Sequence, residues 1–348
     1  MEAVPREARI SLLKWISEEY HSMNGSYYDT LDSPPTPLEF SRICHISRPV
    51  LIKGCDVSRT RQWTNDFLSK KMGNQLISIA VTPNGFADAV TTAEDGKLYF
   101  TEPHVEKMTM DSFLALLEDT SGKAAHYLQS QNGNMYQSSF FDAPDDAPSE
   151  FEPLRPDVPA EIDWCSEAFG KHPDAVNLWI GNDRSVTSVH SDPYENIYYV
   201  VRGCKTFVLL PPTDGFYLQE RLYPHAVYKP TGPGGRLVLT PSRDTPAIRW
   251  SSITDPDFVQ KLPPSAHPIT ISVHAGESLY LPAGWWHHVS QSRETTVALN
   301  WWYDIESQGM SWVWLNFLRG GDDVPDVIET GIKEEDAVSL DLKEKISV

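Results

Sequence analysis

The chain has 348 residues, 40% of them hydrophobic and 11% aromatic, enough to bury a sizeable core in one large domain or about two smaller ones. A formal net charge of −19 leaves no excess of lysine and arginine to neutralise phosphates, which argues against nucleic acid and for a basic protein or peptide as partner. No apolar run approaches the roughly 18 residues that a membrane helix needs, and the charged opening MEAVPREARISLLKW lacks the apolar stretch of a signal peptide, so a cytoplasmic or nuclear location is expected.

In chain order, residues 5–24 predict an amphipathic helix, because Ile10, Leu13, Ile16 and Tyr20 recur at near-helical spacing. Prolines then force 31–37 to run extended. Residues 50–53 and 76–81 predict short strands, Pro83-Asn-Gly85 a turn, 112–117 a helix and 127–129 a return to strand. Residues 136–160, rich in Pro, Asp and Ser, predict a loop. From Val176 to Tyr303 the pattern is mostly β, with strands at 186–189, 196–202, 206–210, 269–273, 278–281 and 295–303. Between them, 229–268 is rich in Pro, Gly and Ser and predicts a long insertion or lid. Residues 311–318, with Trp312, Trp314, Leu315, Phe317 and Leu318, predict a terminal helix that buries more than one face, against the barrel or in a homodimer. The acidic tail from 321 to 348 is expected to be weakly ordered. Cys44, Cys55, Cys165 and Cys204 show no C-x-x-C spacing and are expected to be reduced thiols.

The chemistry concentrates at His190-Ser-Asp192, with His287 far downstream. Two imidazoles and a carboxylate can occupy one face of Fe(II) and leave positions open for other ligands. His190 and Asp192, two apart in extended chain, would share a face, while His287 and His288 would point oppositely, so only one of the latter pair can join them. Two further His-x-acid triplets, His104-Val-Glu106 after Pro103 and His172-Pro-Asp174 in a turn, read as solvated surface.

The segment Leu279-Tyr-Leu-Pro-Ala-Gly-Trp-Trp-His287 resembles the Leu-Tyr-x-Pro-x-x-Trp-x-His strand of the Jumonji C oxygenases, and its alignment selects His287 over His288. Asn177–Gly181, Thr187–Asp192, Tyr194–Tyr198, Val201–Pro212 and Asn300–Tyr303 continue the resemblance, which spans roughly residues 30 to 318. Within the family, Pro34–Leu38, the unusual Ala80–Val90 segment, Ala175–Trp179 and Val297–Asp304 resemble the lysyl-hydroxylase branch that acts on developmentally regulated GTP-binding proteins.

That resemblance implies a mainly β fold with helical additions: a double-stranded β-helix, or cupin-like jelly roll, with an N-terminal α/β extension and a C-terminal helix. The implied divisions are an extension over 1–130, a loop over 131–160, a barrel over 161–305 carrying the 229–268 insertion, and a helix over 306–320. It also implies Fe(II) on His190, Asp192 and His287, with 2-oxoglutarate and O2 as cosubstrates. Lys205, Thr187 and Tyr127 are the implied partners of the 2-oxoglutarate distal carboxylate, and Asn196 and Asn300 the implied flanking residues. Thr187 and His190 would face oppositely on an ideal strand, so this role requires a local bend.

The implied reaction is (3S)-hydroxylation of a lysine on a basic GTPase, with succinate and CO2 as coproducts. Asp88, Asp183 and Glu195 are possible carboxylates for the lysine ammonium, and Trp179, Tyr198, Trp285, Trp286 and Trp302 possible walls. N-methyl-lysine demethylation, metal-dependent cleavage of methylated histone tails and a non-catalytic partner-binding barrel are the alternatives.

Overall fold

The computed structural model describes residues 6–320 apart from 120, 123, 132, 145, 146 and 255–257, so the acidic tail lies outside the described residues. Eight strands form the centre: β1 (Ala175–Gly181), β2 (Val186–Ser191), β3 (Tyr194–Arg202), β4 (Cys204–Leu210), β5 (Ile269–His274), β6 (Glu277–Leu281), β7 (Trp286–Gln291) and β8 (Thr296–Asp304). They make two facing sheets in the orders β6-β3-β8-β1 and β5-β4-β7-β2. This is the jelly roll expected of the resemblance.

Alternation of side chains decides what each face of the first sheet covers. Trp179, Tyr198, Ala298 and Trp302 turn inward and meet Phe207, Leu209, Ile271 and Val273 from the second sheet. Their neighbours Leu178, Ile180, Ile197, Tyr199, Leu299 and Trp301 turn outward, into a second core built with the N-terminal half. β1 is buried at every position because both of its faces are covered. At the edge of the second sheet β5 alternates strictly between buried and exposed, the signature of one wet face.

The N-terminal half wraps this barrel. The helix Pro37–Ile46 starts at a capping box, in which the Thr36 hydroxyl accepts from the Glu39 amide while the Glu39 carboxylate accepts from the Thr36 amide. The strand Val50–Lys53 extends the first sheet beside β6, and Phe86–Ala87 extends the second beside β2. Thus the extension carries residues into the barrel wall itself.

Several segments differ from the sequence reading. His104–Thr109 is a strand paired with Leu76–Thr82, not a loop, because tertiary pairing there outweighs the local Pro103 signal. The expected loop 136–160 holds a two-residue strand at Tyr136–Gln137 and a 3-10 turn at Glu152–Asp157. Part of the 229–268 insertion is ordered sheet: His225–Pro230 pairs with Leu237–Pro241 and, in parallel, with Leu98–Glu102. Ile248–Trp250 pairs with Arg221–Tyr223. The C-terminal helix is Met310–Arg319, but within this chain only Leu318 of it is buried, while Met310, Val313, Trp314 and Phe317 are exposed. No helix among the described residues is long and apolar enough to cross a membrane.

Candidate metal centre

β2 and β7 lie side by side and antiparallel, with His190 opposite His287 and Thr187 opposite Val289. Three residue steps on β2 therefore match two on β7, which is a β-bulge. The bulge is the local bend that the sequence reading required between Thr187 and His190. Asp192 follows in the turn, where its carbonyl accepts from the Gly284 amide at 2.8 Å and ties that turn to the approach of β7.

Asp192 Oδ2 lies 3.6 Å from His190 Nε2 and 3.7 Å from His287 Nε2. The three ligand atoms all fall within 4.8 Å of one another, and this is the only such group among the described residues. His190 Nδ1 is 2.9 Å from the Ser188 carbonyl, and His287 Nδ1 is 3.0 Å from the Trp285 carbonyl. A carbonyl can only accept, so each Nδ1 carries a proton and each Nε2 is the atom left facing Asp192. That tautomer, fixed by a backbone acceptor, is what a metal-ligating imidazole needs.

The charges agree with this geometry. Burial alone would raise the Asp192 carboxyl, but His190 and His287 hold it down at about 2. Burial and the neighbouring His190 lower His287 to about 4, so it is neutral at physiological pH. His190 is raised: burial opposes its charge, and the adjacent Asp192 outweighs that. A cation of higher charge between these groups would displace the proton. His288 stands outside the converging group. His104 pairs with Glu106, and His172 stacks on Phe141 and meets Glu161 at 2.8 Å, so neither approaches the centre.

Deeper in the barrel, Lys205 is 2% exposed, and its Nζ donates to the Tyr127 hydroxyl at 3.0 Å. Thr187 stands close to that hydroxyl as well. Tyr127 reaches this position because Gly181 leaves room, since a Cβ there would sit 2.6 Å from the tyrosine ring. No carboxylate pairs with Lys205 among the described residues, and burial lowers it to about 7. Asn300 and Asn196 also line the interior: Asn300 Oδ1 accepts from Trp179 Nε1 at 2.7 Å, and its Nδ2 donates to Asn196 Oδ1 at 3.1 Å. The buried Trp302 indole N–H has no acceptor in the structure. A dicarboxylate suits this interior, with an unneutralised ammonium and hydroxyls at one end and three metal donors at the other.

Of the three carboxylates singled out for a substrate, Asp183 is exposed in a turn, and Glu195 is committed to Tyr280 Oη and the Ala283 amide. Of the three, only Asp88 is near enough to His190 to interact with it electrostatically. Trp285 donates to the Ser47 carbonyl, and Trp286 belongs to a separate apolar cluster with Leu210 and Leu218. The sequence reading missed Trp250. It stacks on His190 at 5.5 Å between centroids and 7° between planes, and donates to Ser188 Oγ at 3.1 Å. No periodicity in the insertion marks that residue.

A family model described as a cupin-like domain matches residues 35–309. The chain is 36% identical over 318 residues to lysine-specific demethylase JMJ32 of Arabidopsis thaliana, covering 85% of this chain and 86% of that one. It is 37% identical over 287 residues to the bifunctional peptidase and (3S)-lysyl hydroxylase JMJD7 of Homo sapiens, covering 79% and 84%. A third relative, JmjC domain-containing protein E of Dictyostelium discoideum, is 32% identical over 316 residues, covering 82% and 86%.

Proposed function

Because the chain belongs to the cupin-like JmjC family of oxygenases, we propose that it is a protein hydroxylase dependent on Fe(II) and 2-oxoglutarate, acting on C3 of a lysine side chain. The observation that carries this reading is the pairing of the His190–Asp192–His287 triad with the buried, unneutralised Lys205 in one barrel. Net consumption would be 2-oxoglutarate, O2 and a C–H bond, giving succinate, CO2 and a C–OH group.

When bound, Fe(II) with 2-oxoglutarate and O2 supplies the oxidising power. The protein binds and orients. His190, Asp192 and His287 offer three donors and leave other positions open. Lys205 supplies the point charge for the distal carboxylate, Tyr127 and Thr187 supply hydroxyl donors, and Asn196 and Asn300 flank the cosubstrate. The apolar interior built from Tyr198, Phe207, Leu209 and Ile271 excludes water around them.

A GTP-binding protein of the developmentally regulated type is the substrate favoured by the sequence resemblance, and the human relative's name supports lysyl hydroxylation. The net charge of −19 suits a basic partner of that kind in the cytoplasm or nucleus. A second reading, N-methyl-lysine demethylation, is favoured by the name of the Arabidopsis relative. The exposed stripe of Met310, Val313, Trp314 and Phe317 supports a homodimer, since a stripe carried by every copy can be covered isologously by the same stripe.

The experiment is anaerobic loading with Fe(II) and 2-oxoglutarate, then exposure to oxygen with a lysine peptide from such a GTPase, beside His190→Ala. One added oxygen atom per succinate, lost in the variant, supports the hydroxylase. Loss of a methylene from a methylated peptide supports the demethylase. Cleavage without succinate would overturn both in favour of a peptidase.

A further inference from the structure

Asp88 interrupts the Phe86–Ala87 and Ala89–Thr92 strands with φ of 52°, the left-handed region that aspartate enters at some cost. Its main chain is tied to the metal-bearing strand, because Ser188 Oγ donates to the Asp88 carbonyl at 3.0 Å. The same Ser188 oxygen accepts from Trp250 Nε1, and Trp250 lies flat on His190. Asp88, Ser188, Trp250 and His190 thus form one chain of contacts. A cavity lined by Phe86, Ala89, Val90, Ser188 and Ile253 runs along the same turn.

The carboxylate of Asp88 is poorly compensated. Gln129 Nε2 donates to Oδ2 at 2.9 Å, and no lysine or arginine pairs with it among the described residues. The other acid facing it, Glu102, is engaged by His225 at 3.3 Å. Burial first, and Glu102 second, push Asp88 up to about 6, against the opposing pull of His190. A shielded carboxylate with one neutral donor is costly unless a cation arrives.

Resting on the lysyl reading above, we infer that Asp88 is the residue that receives the ammonium of the substrate lysine, with Trp250 beside it on the same Ser188 hydroxyl. A lysine that offers C3 to the metal carries its charge three methylenes farther on, so the counter-charge must stand near the triad without joining it. Asp88 is the carboxylate so placed, and its left-handed backbone, held through Ser188, fixes it against the ligand-bearing strand. Asp88 is a specificity residue here: it selects a cationic side chain and takes no part in oxygen chemistry.

The test compares wild type with Asp88→Asn, which retains an acceptor for Gln129 and tolerates the left-handed backbone. Two probes are used: a peptide from a developmentally regulated GTPase with its target lysine, and the same peptide with norleucine there. Anaerobic binding and oxygen-dependent turnover are both read. Wild type is expected to prefer lysine about tenfold to a hundredfold, the range of a charge-assisted hydrogen bond, and Asp88→Asn to lose that preference. The loss should appear in KM, with succinate release in the absence of peptide and KM for 2-oxoglutarate unchanged. Equal handling of lysine by wild type and variant overturns the assignment. So does equal binding of the two peptides by wild type, a result that stands even if the variant fails to fold. Failure of the lysyl reading is a different result: succinate forms, lysine peptide binds with the Asp88-dependent preference, and no oxygen is added to it.

Discussion

The Lys205 ammonium lies 3.0 Å from the Tyr127 hydroxyl and has no carboxylate partner among the described residues. Burying it without a counter-ion is a cost in the cosubstrate-free protein that an incoming carboxylate offsets. Lys205→Met should therefore raise KM for 2-oxoglutarate at least about thirtyfold, the effect of removing one member of a buried charge pair. The same variant should be the more stable protein without cosubstrate. The Lys205 pKa falls from 10.5 to about 7 on folding, so between these values the unfolded chain binds more protons and stability gains as pH rises. The penalty is fully present below about 7 and gone above 10.5, a swing on the order of 5 kcal/mol. Denaturation of wild type and Lys205→Met at pH 7 and pH 9 isolates it, and a pH-independent difference between them would sink the idea.

Metal affinity should follow the triad. Removing outer partners of metal ligands costs about 10- to 100-fold, so losing a ligand should cost at least about a hundredfold. Titration with Co(II) should show that loss in His287→Ala and Asp192→Ala, while His288→Ala stays close to wild type. Equal losses in His287→Ala and His288→Ala would contradict the placement of His287, and not His288, in the triad.

Trp250 should report the metal optically. An indole stacked on His190 at 5.5 Å is close enough to a paramagnetic ion on that imidazole for its emission to be quenched. Co(II) should dim the intrinsic fluorescence of wild type by a component missing from Trp250→Phe. Trp250→Ala should in addition raise peptide KM, with succinate release in the absence of peptide preserved.

The exposed helix stripe should set the state of assembly. Trp314→Glu with Phe317→Glu places charges where both side chains are 45% exposed, so the monomer should fold unchanged. Light scattering at micromolar concentration should show wild type at twice the variant's mass. A monomeric wild type would remove the dimer from the account.

The metal triad was legible because its donors recur in short, fixed contexts: His190 two before Asp192, and His287 at the close of the Leu279–His287 motif. The barrel was legible because its strands alternate or run apolar. Other features depend on pairings distant in sequence. His104–Thr109 becomes a strand only by meeting Leu76–Thr82. Trp250 reaches His190 only because Ile248–Trp250 pairs with Arg221–Tyr223. Asp88 was one of three equal carboxylates until Glu195 proved tied to Tyr280 and Asp183 lay in an exposed turn. The terminal helix shows the limit of composition: its apolar residues call for burial but do not say whether this chain or a second copy covers them, and within this chain most are exposed.

Glu220, its side chain 7% exposed, bonds Arg249 at 2.6 Å and Arg319 at 2.7 Å. Arg249 is the residue before Trp250, and Arg319 ends the C-terminal helix. One carboxylate is thus the shared rivet of the last helix and of the strand that carries the indole over His190. Shortening the chain by that helix would leave Glu220 with half its neutralisation, and the loss would be felt beside the metal ligands, not at a remote terminus. Cut before Met310, the trimmed protein should bind its substrates in a slackened pocket.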